Sequence, residues 1–273
     1  MKFLSNVPPV RVLAGMIILL FFFASVSQNK GELALWAVSI QNIFLVAVSG
    51  VLAEFITRYF FLAEKRRVED KIIRYGILLL LFSSKTPSLL FVVLSIGMEL
   101  LRTFFRGKIG PTWNPVALIA LLASFSGTGP DWINVSFSPS IPLFSFRPSI
   151  AFFIILPIAG YVARRYNKTN IILTAISAFS ICFFAIFHKS PLPIIIESTF
   201  AFFLLVMVIE PRTSPSEKKE QIRYGLVIGS LLPIGMFFHL PDPLLLSLII
   251  GNTYQMTKKW FSNAGSILGK KRN

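Results

Sequence analysis

Three carboxylates stand inside strongly apolar stretches of this sequence: Glu54, Glu99 and Glu197. A carboxylate in hydrocarbon is costly, so it faces a polar interior or binds a proton or a cation. Glu99 lies near the middle of its stretch. With Glu197 it makes up the candidate set for a proton or sodium relay, and a hydrogen-bonded packing group is the alternative. Glu54, near the end of its stretch, reads first as a packing group. Two further positions join a good helix cap to a proline: Asn114-Pro115 and Asp242-Pro243. An Asn or Asp side chain accepts from the unbonded N–H groups of a first helical turn, and proline at the first position gives up no hydrogen bond. Such an end carries partial positive charge and suits an anion, a phosphate or an electron-rich ring oxygen. Trp113, directly before the first cap, offers a ring that can stack on a flat ligand.

Other chemistry is excluded by residue type. Cys182 is the one cysteine. That excludes a disulfide framework, a four-cysteine zinc site and a self-contained iron–sulfur cluster. Its small apolar side chain reads as packing. His188 and His239 fall at the ends of apolar runs and read as interface residues, so no haem is expected. No Walker loop, G-x-S-x-G, H-E-x-x-H or dinucleotide fingerprint occurs. Neither nucleotide hydrolysis nor NADH binding by this chain is therefore expected.

The elements that position these residues follow from composition. Of 273 residues, 54% are hydrophobic, 28 are Phe, and 14% are charged, against about a quarter charged in a soluble domain. A helix crosses the hydrocarbon layer with roughly 20 apolar residues. Ten segments fit: about 10–27, 33–57, 72–84, 87–105, 114–127, 149–163, 169–187, 192–209, 218–238 and 243–257. The third is short, which marks a broken helix or one sheltered by its neighbours. The first could also be read as a signal peptide, with Lys2 and Arg11 before an apolar run and small residues at Ala24 and Ser27. Counting it as a helix, with the N-terminus inside, puts 23 of the 27 Lys and Arg on the inner side. Lys30, Lys85, Arg147 and Lys189 fall outside. That is a strong positive-inside signal. The net charge of +15 therefore reads as topology, and no nucleic-acid partner is expected.

An internal repeat organises the ten segments. Thr86-Pro87-Ser88 recurs as Ser214-Pro215-Ser216, and Asn114-Pro115 as Asp242-Pro243, both at an offset of 128 residues. Each proline is expected to open a helix, and Ser214 with Glu217 has the pattern of a capping box. The offset spans five crossings, so matched motifs face opposite sides: a five-plus-five repeat with inverted topology. The halves cover about 1–127 and 128–273 of a single transmembrane domain. Inverted repeats place a site between the halves, near the bilayer midplane.

At these motifs the chain resembles the homologous membrane subunits B of the sodium-pumping NADH:quinone reductase and D of the Rnf electron-transport complex. The residues are "KIGPTWNPVALIALLASF" (108–125), "STFAFFLLVMVIEPRTSP" (198–215), "IRYGLVIG" (222–229) and "LPDPLLLSLIIGN" (240–252). They carry Gly110, Asn114-Pro115, Glu210-Pro211, Thr213-Ser214, Tyr224-Gly225 and Pro241-Asp242 in the family's order, over most of the chain from Val68 to Trp260. The resemblance implies a ten-helix fold related to ammonium and urea channels. It also implies flavins in the membrane part and a role in moving electrons, coupled to sodium or protons. Two features depart from it. The family attaches flavin mononucleotide (FMN) through a Thr in a long connection between helices five and six. Here that connection is short (128–148), and Thr128 lacks the surrounding pattern. The Ser-Gly-Ala-Thr stretch that opens helix eight is replaced by Glu197-Ser198-Thr199-Phe200.

The sequence thus predicts an all-α, multi-pass protein of the cell (inner) membrane, with both termini cytoplasmic. It is expected to hold FMN or riboflavin noncovalently, with Trp113, Asn114, Ser214 and Asp242 as binding residues. Its role would be an electron-carrying subunit of an oxidoreductase, with the bilayer and other membrane or soluble subunits as partners. The alternatives are a small-solute transporter or channel of the same fold, or a membrane anchor that docks a soluble oxidoreductase through the basic 58–74 stretch.

Overall fold

A computed structural model describes residues 7–29, 33–61, 68–82, 86–104, 106–107, 110–111, 113–130, 132, 150–211 and 213–270. Most of the connection expected over 128–148, and residues 62–67 of the basic stretch, lie outside the described residues. Among the described residues the secondary structure is helical apart from a two-residue antiparallel ladder, β1 (Arg106–Gly107) and β2 (Gly110–Pro111). In chain order the helices are α1 (Pro9–Asn29), α2 (Leu33–Phe61), α3 (Val68–Leu81), α4 (Ser88–Phe104), α5 (Pro115–Phe125) and α6 (Ile150–Arg165). They continue with α7 (Thr169–Phe187), α8 (Leu192–Ile195), α9 (Ser198–Phe202), α10 (Lys218–Phe237) and α11 (Pro243–Lys270). A π-helical segment, Phe203–Val208, extends α9. Every apolar segment predicted from the sequence holds a helix, and the eighth holds the α8–α9–π series. Among the described residues, two helical stretches, Ser39–Phe60 and Thr169–Phe187, are long and apolar enough to cross a membrane by length and composition. Pro9–Ala24, Pro115–Phe125 and Ser198–Val208 are apolar but shorter.

Local sequence explains the ends. Glu69 and Asp70 lie in the first turn of α3, and Arg102, Arg164 and Arg165 in the last turns of α4 and α6. These signs complement the helix dipole. The eighth segment breaks at Glu197, whose backbone is extended (φ −73°, ψ 139°). The π-helix beyond it is wholly buried. One expectation is corrected. The helix after Pro215 begins at Lys218 with Glu217 as its cap residue, and no side chain caps it. The Ser214 hydroxyl instead donates to the Glu210 carbonyl at 2.7 Å. The capping box is absent because Ser214 closes the turn that leaves the π-helix.

The helices pair by a repeated scheme. Within α1–α5, α2 packs on α4, α1 on α3, α4 on α5 and α3 on α5. Within α6–α11 the same pairings recur: α7 on α10, α6 on α9 and the π-helix, α10 on α11, and the π-helix on α11. Among the described residues, α1 packs on α6 and α5 on α11 across the two sets. The α5–α11 pair is antiparallel. Trp113, just before α5, bonds to Thr253 well inside α11, whereas Asp242, at the start of α11, bonds to Trp132 beyond the end of α5. Polar contacts repeat as well. Asn42 of α2 accepts from Ser88 at the start of α4 (2.9 Å). Asn170 of α7, 128 positions later, donates to Gln221 in the first turns of α10 (3.1 Å). The core is one continuous apolar cluster drawn from both sets. Large apolar side chains, Phe44, Phe55, Leu89 and Ile181 among them, remain exposed on the outer faces.

Candidate functional site

Asn114 has extended backbone (φ −66°, ψ 113°), and its Oδ1 accepts from the Val116 and Ala117 amides at 3.0 and 3.1 Å. It is the cap the sequence predicts, with Pro115 at the first helical position. Replacing Asn114 by alanine is expected to cost about 0.5–2 kcal/mol, read as a lower unfolding temperature. Trp113 is held by its indole N–H, which donates to the Thr253 hydroxyl at 2.9 Å. The Thr253 hydroxyl in turn donates to the Ile249 carbonyl at 2.8 Å. This chain of bonds ties the start of α5 to the middle of α11.

Trp113 and Asn114 line a cavity of about 240 Å³ between the two helix sets. Its first wall comes from α1, α3 and α4, with Leu13, Asp70, Arg74, Ile77 and Arg102. Its second wall comes from Tyr166, from Val206 of the π-helix, and from Glu210, Pro211 and Thr213. Arg74 is fixed by the carbonyl of Asp70 (Nε, 3.1 Å) and by Glu99 Oε1 (Nη1, 2.5 Å), which also accepts from the Tyr75 hydroxyl at 3.0 Å. Opposite, the Glu210 carbonyl accepts from the Ser214 amide (3.0 Å), and its Oε2 accepts from the Thr213 hydroxyl (3.2 Å). The turn is clamped from outside by Lys168. This buried ammonium donates to the carbonyls of Ser214 (3.1 Å) and Pro215 (2.6 Å). The cavity therefore sets Arg74, Arg102 and the positive end of α5, with Asp70 beside them, against Glu210, with an indole and aliphatic groups between. Such a wall can bind a flat, polar ring and can orient an attached anionic group toward the guanidinium side.

The predicted binding residues separate. Trp113 and Asn114 share the cavity. Ser214 lies one position beyond its wall, with its hydroxyl engaged by Glu210. Asp242 stands at the other end of the α5–α11 pair. Its Oδ1 accepts from the Leu245 amide at 3.0 Å and its Oδ2 from the Trp132 indole at 2.8 Å. Burial pushes its carboxyl above the ordinary carboxylate range, against those hydrogen bonds. Glu99 is buried behind Arg74, outside the cavity wall. Glu197 is exposed at the α8–α9 break. Glu54 pairs with Arg58 and Lys71. His188 and His239 both adopt positive φ (52° and 50°) just after helix ends and are exposed. The Thr128 hydroxyl is bonded to Ser126 (2.9 Å) and to the Ala123 carbonyl (3.3 Å) in the turn that ends α5.

Sequence reasoning missed Arg74, Arg102, Lys168 and Tyr166. A signal is present for the first. Arg74 falls inside a predicted apolar segment, where an ionisable residue marks a site, but its charge also fits the inner basic set and is absorbed there. No family model and no curated protein matches the chain.

Proposed function

We propose that the chain is a multi-pass protein of the cell (inner) membrane that acts as a flavin-holding subunit of an electron-transport system. In this reading about ten crossings form two inverted halves, with both termini on the basic, cytoplasmic side. The repeated helix pairings, the antiparallel α5–α11 pair and the distribution of Lys and Arg support that arrangement. One observation carries the functional part: the cavity where Trp113, the α5 N-terminus, Arg74 and Arg102 converge.

The donor set suits FMN or riboflavin bound without a covalent link. Trp113 offers a stacking face. Arg74 and Arg102 place positive charge where it can face ring oxygens or a phosphate. Glu210 offers an acceptor to a ring N–H. The volume of about 240 Å³ lies below the roughly 300–1,000 Å³ of pockets that take drug-sized ligands. The cavity therefore holds one end of such a molecule. A bound flavin would supply one- and two-electron chemistry. This chain's part is to orient the ring, screen it from water with Leu13, Ile77 and Val206, and balance its charge through the guanidinium groups. Electrons come from a separate membrane or soluble oxidoreductase subunit. Coupling to sodium or protons would run through Glu99, whose contact with Arg74 links it to the cavity wall. The absorption spectrum of gently purified protein tests this: flavin bands at a fixed stoichiometry are expected, and their absence at any stoichiometry refutes the electron-carrier role.

The cavity volume and the engaged Thr128 hydroxyl favour a second reading, a small-solute transporter or channel of the same architecture. Uptake of a polar solute by liposomes carrying flavin-free protein would favour it over the first.

A further inference from the structure

The two ends of the α5–α11 pair are assembled alike and finished differently. At one end the cavity lies between Asn114, which caps α5, and Glu210, which follows the π-helix. The helix pairings and the 128-residue offset give each wall a counterpart at the other end. Asp242 stands for Asn114 and caps α11. Phe82, at the end of α3, stands for Glu210. Leu205 and Leu78 stand for Ile77 and Val206, Phe202 stands for Arg74, and all three are buried.

A single residue bridges that place. The Trp132 backbone N–H donates to the Leu81 carbonyl at 3.2 Å, and its indole N–H donates to Asp242 Oδ2 at 2.8 Å. Trp132 is 9% exposed. Its φ of 55° lies in the left-handed region, an outlier for so bulky a residue. Asp242 uses Oδ1 to cap α11 and has Oδ2 left for a donor. The 128-residue offset sets Ser198 and Ser230 in the places of Asp70 and Arg102, so these counterparts carry hydroxyls and no charge. An indole supplies what this place lacks, a flat hydrocarbon surface with one N–H.

We propose that the start of α11 forms a second chamber, the counterpart of the first, and that Trp132 is its built-in plug. The plug holds the place of a planar aromatic ligand bearing an N–H donor. This inference rests on helix packing and on two hydrogen bonds, independently of any flavin. While Trp132 is seated, a cavity lies at one end of the α5–α11 pair and the indole occupies the place beside Asp242 at the other. Opening the second chamber requires the indole to leave Asp242.

Indole, added to the purified full-length chain during thermal unfolding, is the probe. A ligand that binds the folded state raises the unfolding temperature in proportion to ln(1 + [L]/Kd). The unaltered protein is expected to ignore indole. Trp132→Gly should unfold at a lower temperature and recover a large part of the loss in indole. Indene, which has the same shape without the N–H, should restore less. Trp132→Phe, which keeps a ring in place, should lose less stability and show no response. The plug is refuted if Trp132→Gly ignores indole, if the unaltered protein responds as strongly, or if indene works equally well. If Trp132→Gly cannot be recovered without ligand, the yield of folded protein is compared with and without indole in the growth medium, and no gain refutes it.

Discussion

Glu99→Ala is expected to destabilise the protein by about 3–5 kcal/mol, the range for removing one partner of a buried ion pair. Glu99 and Arg74 have side-chain exposures of 1% and 7% and lie 2.5 Å apart. Truncating Glu99 leaves a guanidinium in a low-dielectric interior with its principal counter-charge gone, and also strips the Tyr75 hydroxyl of its acceptor. The cost comes from stranded charge more than from lost attraction. A double change, Arg74→Met with Glu99→Leu, should therefore recover most of the loss, because neither charge then remains. Unfolding curves of the three proteins in one detergent check this. A double variant as unstable as Glu99→Ala would show that the pair's surroundings, and not the uncompensated charge, set the cost. The same measurement bears on the relay reading of Glu99. If ion coupling runs through this carboxylate, Glu99→Gln should keep the fold better than alanine and still abolish the coupling.

Gly229→Ala is expected to cost about 1–3 kcal/mol, although alanine is the better helix former. Gly225 and Gly229 lie one turn apart on the face of α10 that packs on α7. A Cβ on Gly225 would meet the Ile171 carbonyl oxygen at 2.7 Å, and one on Gly229 would press on the Ala175 carbonyl and lie 2.9 Å from the Ala178 Cβ. The obstruction is backbone, so α7 and α10 must separate to admit a methyl group. This is the small-xxx-small contact by which helices approach closely without large side chains. At Gly160, inside α6, a Cβ would meet nothing within 4 Å. Gly160→Ala should instead be neutral or stabilise by about 0.5–1 kcal/mol through helix propensity. Thermal unfolding of both variants should move in opposite directions. A neutral Gly229→Ala would mean that the α7–α10 contact is looser than its geometry.

Much of the architecture is legible in the residues because helices are local objects. Apolar runs of sufficient length, bounded by proline and polar breaks, mark every helical segment in order. Asn114 and Asp242 are recognisable as caps because a cap needs only its own side chain and the next three amides. The offset of 128 residues anticipates the recurrence of the helix pairings. Local rules fail where a neighbour from elsewhere in the chain competes. Ser214 has the spacing of a capping box, yet its hydroxyl goes to the Glu210 carbonyl, and α10 starts at Glu217 and Lys218. The widening of the eighth helix into a π-helix has no clear mark in "FLLVMV", since six buried apolar residues serve either ladder.

The candidate site divides in the same way. Trp113 and Asn114 could be singled out from residue type and position. Arg74, Arg102, Lys168 and Trp132 could not be placed, because their roles depend on partners 25 to 110 positions away or on a wall assembled from several helices. By itself the sequence determined the helices, their order, two of their caps and the repeat that relates them, since each of these depends on bonds within a few residues or on a periodicity along the chain. Only the tertiary structure decided that Glu99 answers Arg74, that one end of the α5–α11 pair holds a cavity, and that an indole fills the other. Pairing across helices is set by which side chains meet when the apolar faces close, and that meeting is written in no single segment.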